Sequence, residues 1–392
     1  KNLTVSGSTL TSPSLEENFF YLAFDEERYT ITYEDGSIEP LTSDQFNLDS
    51  STGLITFRNL SKASATNVTL TTTQNKLDVT PKIKRRQNAG ILTINRSKYA
   101  ESGSSATGVG VKDNGLTYSS VYGTRVEDKE ISLNTVDVKN VLAIFESFDT
   151  SDPELPTLTV SSITSPNSTS SDFIIGERII GSQSRAVGRV ILAPSGSSIN
   201  FVTLNDISFI PGETIESGDS GINATVSAVT KGSVRISDNY TFDNGQRAEY
   251  YDYSRIIRKE NATEPTRRLT IVYQSCYIES TDTGEIITAN SYGGDSYSED
   301  VALFDGRRTS DYIDIRPRLS DYNTSSTTSP FEFNSRSFVG DAQAPTNIIV
   351  SDENLLVNYT YYLGRIDKVY MGRNGVVQIS RGTPSLNPLP PA

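Results

Sequence analysis

Apolar and polar residues along this chain alternate with a period of two, and turn residues break the alternation at short intervals. Tyr29, Ile31 and Tyr33 alternate with Thr30 and Thr32, and then Asp35-Gly36 supplies the positive backbone angles of a hairpin turn before Ile38. The same pattern predicts strands around Phe46–Leu48, Leu54–Phe57, Val68–Thr72 and Ile91–Ile94, enough for one small sandwich over residues 1–95. Further on, Tyr240–Phe242 leads into Asp243-Asn244-Gly245, and Leu269, Ile271 and Tyr273 alternate along another strand. Asn374-Gly375 lies between two apolar-bearing segments and is the strongest hairpin signal in the chain. Val138, Val141, Leu142, Phe145 and Phe148 fit a helical stripe, but their β-branched neighbours favour a buried strand. No segment predicts a helix longer than about three turns. The expected fold class is all-β, with several small sandwich- or barrel-like domains in series and short hairpins.

Breaks in the pattern mark the domains. Lys98–Gly115 is rich in Gly and Ser, and Ser161–Ser171 is dominated by Ser, Thr, Pro and Asn, so both read as loops or linkers. Directly after the second break comes a duplication at an offset of 36 residues. FIIGERIIGSQSRAVGRV (Phe173–Val190) aligns without gaps on FIPGETIESGDSGINATV (Phe209–Val226). A strand, a Gly turn, a second strand, a polar turn and a third strand explain both copies, and two such units suit one miniature β module. The organisation expected is an N-terminal sandwich (1–95), a linker plus β segment (96–165), the duplicated module (166–231) and a C-terminal β domain (232–392). That last domain ends in a proline-rich connector, Thr383–Ala392. With Lys1 first and the only Met at 371, the chain is expected to be an excerpt of a longer product.

Composition narrows the chemistry. The 392 residues include no His, no Trp and one Cys, which removes the usual general base near neutral pH and the commonest transition-metal ligands. Cys276 lies within the apolar run Leu269–Ile278 and reads as a buried small hydrophobe, since no imidazole is present to activate it. The 48 acidic residues outnumber 35 basic ones, and the resulting −13 disfavours nucleic acid as a partner. No stretch approaches the roughly 18 to 20 apolar residues of a membrane-spanning helix, so no membrane insertion is expected. No catalytic residue, metal ligand or cofactor site is assigned, and the expectation is a protein that is not an enzyme.

Each remaining cluster has a bland reading beside the functional one. Gly176-Glu177 and Gly212-Glu213 could be matched carboxylates, but repeated turn geometry accounts for them. Asp295, Glu299 and Asp300 lack the spacing of a calcium loop. Asp314 and Arg316 lie opposite Ile313 and Ile315, as a cross-strand ion pair would. The run Lys82-Ile83-Lys84-Arg85-Arg86 could meet anionic glycans, or protect an exposed strand edge. Arg247, Tyr250, Tyr251, Tyr253 and Arg255 form the candidate assembly interface, because Tyr and Arg are enriched at interface hot spots; ordinary packing is the alternative.

Four segments carry a resemblance: DNYTFDNGQRAEYYDYSRIIRK (Asp238–Lys259), LTIVY (Leu269–Tyr273), DYIDIRPRL (Asp311–Leu319) and YYLGRIDKVYMGRNGVVQISRGTPSLNPLPP (Tyr361–Pro391). There the chain resembles virion structural proteins of contractile-tailed phages of marine cyanobacteria, described as tail, tail-fibre or baseplate-associated. It departs from the family pattern at Gly364, where proline is common before the Arg-Ile-Asp run. The resemblance implies a part located in the virion tail and assembled in the host cytoplasm. Its implied partners are other tail or baseplate proteins and copies of itself, as a trimer or within a sixfold assembly. The alternatives are a receptor-binding module for host surface polysaccharide and, behind it, a polysaccharide depolymerase, which would need two carboxylates flanking a sugar.

Overall fold

The computed structural model describes residues 2–15, 17–96, 122–164, 172–293, 301–326, 328–338, 356–373 and 375–391. The expected linker Lys98–Gly115 and the acidic cluster Asp295, Glu299 and Asp300 lie outside these residues. Two compact units, Lys1–Thr346 and Asn347–Ala392, divide the chain. No helix among the described residues reaches seven residues, and the fold is all-β, as the alternation predicts.

The first unit opens with a small sandwich. Its strands are β1 (Asn2–Ser6), β2 (Leu10–Thr11), β3 (Phe19–Tyr21), β4 (Tyr29–Thr32), β5 (Ile38–Glu39), β6 (Phe46–Leu48), β7 (Ile55–Phe57), β8 (Ser64–Thr72) and β9 (Gln74–Lys76). A β1-β8-β4-β5 sheet faces a β2-β7-β6 sheet, while β3 pairs with β9. The alternating inward residues Val5, Leu10, Ile31, Ile55, Phe57 and Val68 fill the space between the sheets. The predicted hairpin joins β4 to β5, with Gly36 at φ 79° and Asp35 Oδ1 accepting from the Ser37 N–H at 3.1 Å.

The next strand, β10 (Lys84–Ile94), leaves this sandwich. It pairs along its length with β22 (Leu269–Ile278), far away in sequence. The four-stranded sheet β10-β22-β12-β19 also contains β12 (Val138–Glu146) and β19 (Val234–Arg235). It packs on a three-stranded sheet, β11-β21-β20, formed by β11 (Glu130–Val136), β20 (Tyr240–Asp243) and β21 (Tyr253–Arg258). Ile131, Leu133, Ile144, Ile256, Leu269 and Ile271 close the core between them. The expected boundary at residue 95 therefore falls at the end of a strand of the central sandwich. The segment expected as a linker plus a β segment supplies two of its strands, and the expected C-terminal domain supplies four more.

Between β12 and β19 the chain makes a closed barrel of β13 (Thr157–Thr164), β14 (Arg178–Gly181), β15 (Val187–Val190), β16 (Ser198–Thr203), β17 (Thr214–Ser217) and β18 (Asn223–Thr230). The barrel begins within the segment Ser161–Ser171 expected as a break, because β13 runs to Thr164. The order around it is β13-β16-β15-β14-β17-β18, which maps onto itself when the first three strands exchange with the last three. The duplicated sequence is thus a two-fold related pair of three-stranded halves.

The repeated Gly-Glu pairs hold this symmetry. Gly176 and Gly212 take φ of 89° and 93°, a region a side chain rarely enters, and their N–H groups donate to Val190 O and Val226 O, each at 2.7 Å. Both glutamates are buried. Glu213 caps its own turn by accepting from the Ile210 N–H at 2.7 Å and reaches across to the Ser184 N–H at 2.9 Å. Glu177 does the same with the Ile174 N–H at 2.8 Å and the Ser220 N–H at 3.2 Å. Ser184 and Ser220 are themselves equivalent positions of the repeat. The barrel packs on the outer face of the central sheet, where Ile191 and Val202 meet Leu142, Phe145 and Val272. Hence Leu269 to Cys276 are buried on both faces of β22, a stronger burial than the expected alternation.

The described residues between 279 and 338 are largely irregular apart from β23 (Leu303–Phe304) and β24 (Arg307–Arg308). Among its described residues the second unit contains one ribbon, β25 (Lys368–Met371) paired with β26 (Val377–Ser380), Met371 opposite Val377. Its turn has Gly375 at φ 76°; Asn374 lies outside the described residues.

Candidate functional site

The Tyr- and Arg-rich stretch singled out in the sequence lies on the connection from β20 to β21 and on β21 itself. It is extended, so Tyr251 and Tyr253 share one side, and both are buried, Tyr251 completely. Residues 314–319 run alongside: the Tyr251 N–H donates to Pro317 O at 2.9 Å and the Leu319 N–H to Tyr251 O at 3.2 Å. On this partner segment Asp314, Arg316 and Arg318 occupy alternate positions, and all three face Tyr251. Its hydroxyl donates to Asp314 Oδ2 at 2.5 Å, and its ring lies 4.4 Å from the Arg316 guanidinium and 5.0 Å from that of Arg318.

Behind Tyr251 sits an ion-pair network sealed from solvent. Asp137, at φ 60° in the corner between β11 and β12, places Oδ2 2.8 Å from Lys84 Nζ and 3.0 Å from Arg318. Its other oxygen accepts from Gln246 Nε2 at 3.1 Å. Lys84 also donates to the hydroxyls of Tyr251 and Tyr292 at 3.2 and 2.9 Å, with both ring centroids 4.9 Å away. Arg316 closes the circuit with Asp314 at 2.7 Å and Gln246 Oε1 at 2.9 Å. Three cations thus meet two carboxylates, and aromatic faces and hydroxyls take up the surplus positive charge.

The electrostatics fix every proton. Burial would neutralise Asp137, yet Lys84 and Arg318 hold its carboxyl below the usual range. Burial would likewise strip Lys84, but Asp137 keeps the ammonium well above the ordinary lysine value. Asp314 is held down, against burial, by Arg316 and the Tyr251 hydroxyl. Burial raises Tyr251 and Tyr292. The charged members of this network are held in their charged forms and the tyrosines in their neutral forms, so the arrangement suits locking segments together.

A second, partly exposed belt surrounds it. Arg247 pairs with Asp243 at 2.6 Å, Arg255 with Asp243 at 2.9 Å and Glu130 at 2.8 Å, and Arg336 with Asp252 at 3.2 Å. Tyr250 packs edge-on against Phe338 and its hydroxyl accepts from Arg336 at 2.9 Å. Tyr253 donates to Ser320 O at 2.7 Å. All five candidate interface residues therefore come together, with Tyr251 and Tyr253 turned into the chain and Arg247, Tyr250 and Arg255 half-buried in the belt.

Two sequence readings change. Asp314 and Arg316 pair within one extended segment and not across strands, and their side of the segment points inward while Ile313 stays partly exposed. The basic run does not protect an open edge: opposite β22, Lys84 bridges Tyr292 and the Lys82 N–H donates to Ile286 O at 2.7 Å, and Lys82 and Lys84 turn inward while Ile83, Arg85 and Arg86 stay exposed. Lys84, Asp137, Gln246, Tyr292 and Arg318 were not legible as a group. The available signals were the alternation of buried Lys82 and Lys84, and a lone Asp between Val136 and Val138.

Cys276 is buried, and its backbone N–H donates to Asp137 O at 3.0 Å. Among the described residues no three His, Cys, Asp or Glu side chains converge in a way that would hold a metal ion. Comparison with protein-family models, curated proteins and solved structures returns no match to this chain.

Proposed function

We propose that this chain is a structural part of a bacteriophage virion, in the tail, baseplate or tail-fibre attachment, acting through protein–protein assembly and without a reaction of its own. The observation that carries this reading is a contrast in how surface is used. The charged cluster of the first unit is consumed internally, whereas residues 356–391 leave Tyr359, Val369, Met371, Val377, Ile379, Leu386 and Leu389 more than half exposed. A chain that encloses this charged cluster and displays apolar side chains is built for contact. The phage resemblance adds the setting, since its segments include both Tyr251 with its Asp314–Arg318 partner and the exposed ribbon.

The polysaccharide-receptor reading rested on the Tyr-rich stretch, and Tyr251 has no surface with which to meet a sugar. The assembly reading is tested on whole particles. Antibodies raised against the purified chain are expected to label the tails of intact virions in electron micrographs, at a fixed position. Preparations in which the label follows soluble host-cell protein and never the particle would overturn the assignment.

A further inference from the structure

The ribbon in the second unit has two unlike faces. Cross-strand partners place Val369 with Ile379 and Met371 with Val377 on one side, and Lys368 with Ser380 and Tyr370 with Gln378 on the other. The first face is wholly apolar and stays 57 to 71% exposed at all four positions. A two-stranded ribbon on its own is marginal in water, and a strictly alternating sequence with one apolar side is the pattern of a surface meant to be covered.

Charge indicates what covers it. Residues 356–391 contain Arg365, Lys368, Arg373 and Arg381 against Asp367 alone, a net of +3, so the other residues of a −13 chain carry −16. The N-terminal sandwich is one of the acidic regions of the chain. Residues 2–76 hold ten acidic and four basic side chains, a net of −6. There Asp25, Glu26, Glu27 and Glu34 are exposed, together with Phe20, Ile38 and Leu48. The sandwich therefore offers what the ribbon lacks, exposed negative charge, on a unit that also carries accessible apolar side chains. Opposite potentials of this kind steer encounter and set register, and apolar contact holds the pair.

We infer that residues 356–391 are a docking arm that seats on the acidic N-terminal sandwich of a second copy of this chain, giving a head-to-tail contact. The inference rests on the assembly reading above and names its partner surface. A head-to-tail contact uses two different patches, so it propagates copy to copy and closes into a ring where the rotation permits.

The test uses the full chain and light scattering coupled to size exclusion. Parent protein is expected to form species larger than a monomer, less so as salt is raised. Val369→Thr combined with Ile379→Thr is expected to weaken association by about tenfold or more, with an unchanged far-ultraviolet spectrum because both replacements keep a β-branched side chain at this cross-strand pair. Charge reversal gives a readout independent of those sites. Lys368→Glu with Arg373→Glu, and Glu26→Lys with Glu27→Lys, each weaken self-association, while mixing the two variants restores a one-to-one complex. A parent that stays monomeric at all concentrations overturns the inference, as does a mixture that fails to recombine. Tail labelling of virions by antibody alongside a strictly monomeric parent would remove the docking arm and leave the assembly reading standing.

Discussion

Asp137 is the residue on which the buried network turns. It is the one carboxylate touching both Lys84 and Arg318, and the left-handed corner it occupies aims it at them. Asp137→Asn keeps the shape but leaves two buried cations facing a neutral amide. The expected loss is about 3–5 kcal/mol, read as a lower urea midpoint, and Asp137→Asn with Lys84→Met recovers part of it by removing one cation. A single variant within about 1 kcal/mol of the parent would show that the network does not hold the segments. Little of this was legible residue by residue. Lys84 looks like a surface charge because lysine is almost never buried unpaired, and its partners Asp137, Tyr251 and Tyr292 lie 53, 167 and 208 positions away in the sequence. The packing role of Cys276 was legible because an apolar run surrounds it.

Among elements, the barrel makes the sharpest prediction. If Glu177 and Glu213 are equivalent struts, Glu177→Gln and Glu213→Gln each cost about 1–3 kcal/mol, since each leaves buried N–H donors with a weaker acceptor. Hydrogen exchange resolves the geometry: each substitution is expected to deprotect its own turn, at Ile174 or Ile210, and the opposite repeat's serine, Ser220 or Ser184. Deprotection confined to one repeat would contradict the crossed arrangement. Here the sequence was informative, because seven identities at a constant offset reveal the duplication and its Gly turns. It did not reveal closure, since β13 and β16 occupy equivalent places in the barrel but lie outside the aligned segments. Strands such as β4 and β5 were visible for the opposite reason, being joined by a turn whose chemistry is local.

For the whole molecule, the tyrosines set an alkaline limit. Burial, partly offset by the hydrogen bond to Leu22 O, pushes Tyr29 up to about 12, and burial, partly offset by Arg336, pushes Tyr253 up to about 12. An unfolded tyrosine ionises near 10. Below roughly pH 10 both states are neutral and the buried rings contribute fully; between about 10 and 12 only the unfolded chain loses its protons, so stability falls as pH rises. The expected result is a cooperative alkaline transition in which the last step of phenolate absorbance, that of the buried tyrosines, coincides with loss of sheet signal. Phenolate formation complete near pH 10 with the sheet signal intact would contradict this burial.

The barrel's point of insertion governs how the chain reaches this fold. Phe145 on β12 is paired with Arg235 on β19, so the excursion of nearly ninety residues starts and finishes on adjacent rungs of one ladder. Strand β10 must find β22 across 175 positions, Ile94 opposite Leu269, and the entropy of closing so long a loop opposes that meeting. A barrel that forms first, from contacts mostly local to itself, pins Glu146 beside Val234 and takes about half of the slack out of the search. The insert then behaves as a clasp fastened early, and the speed at which the central sheet zips up is set by how quickly that clasp shuts.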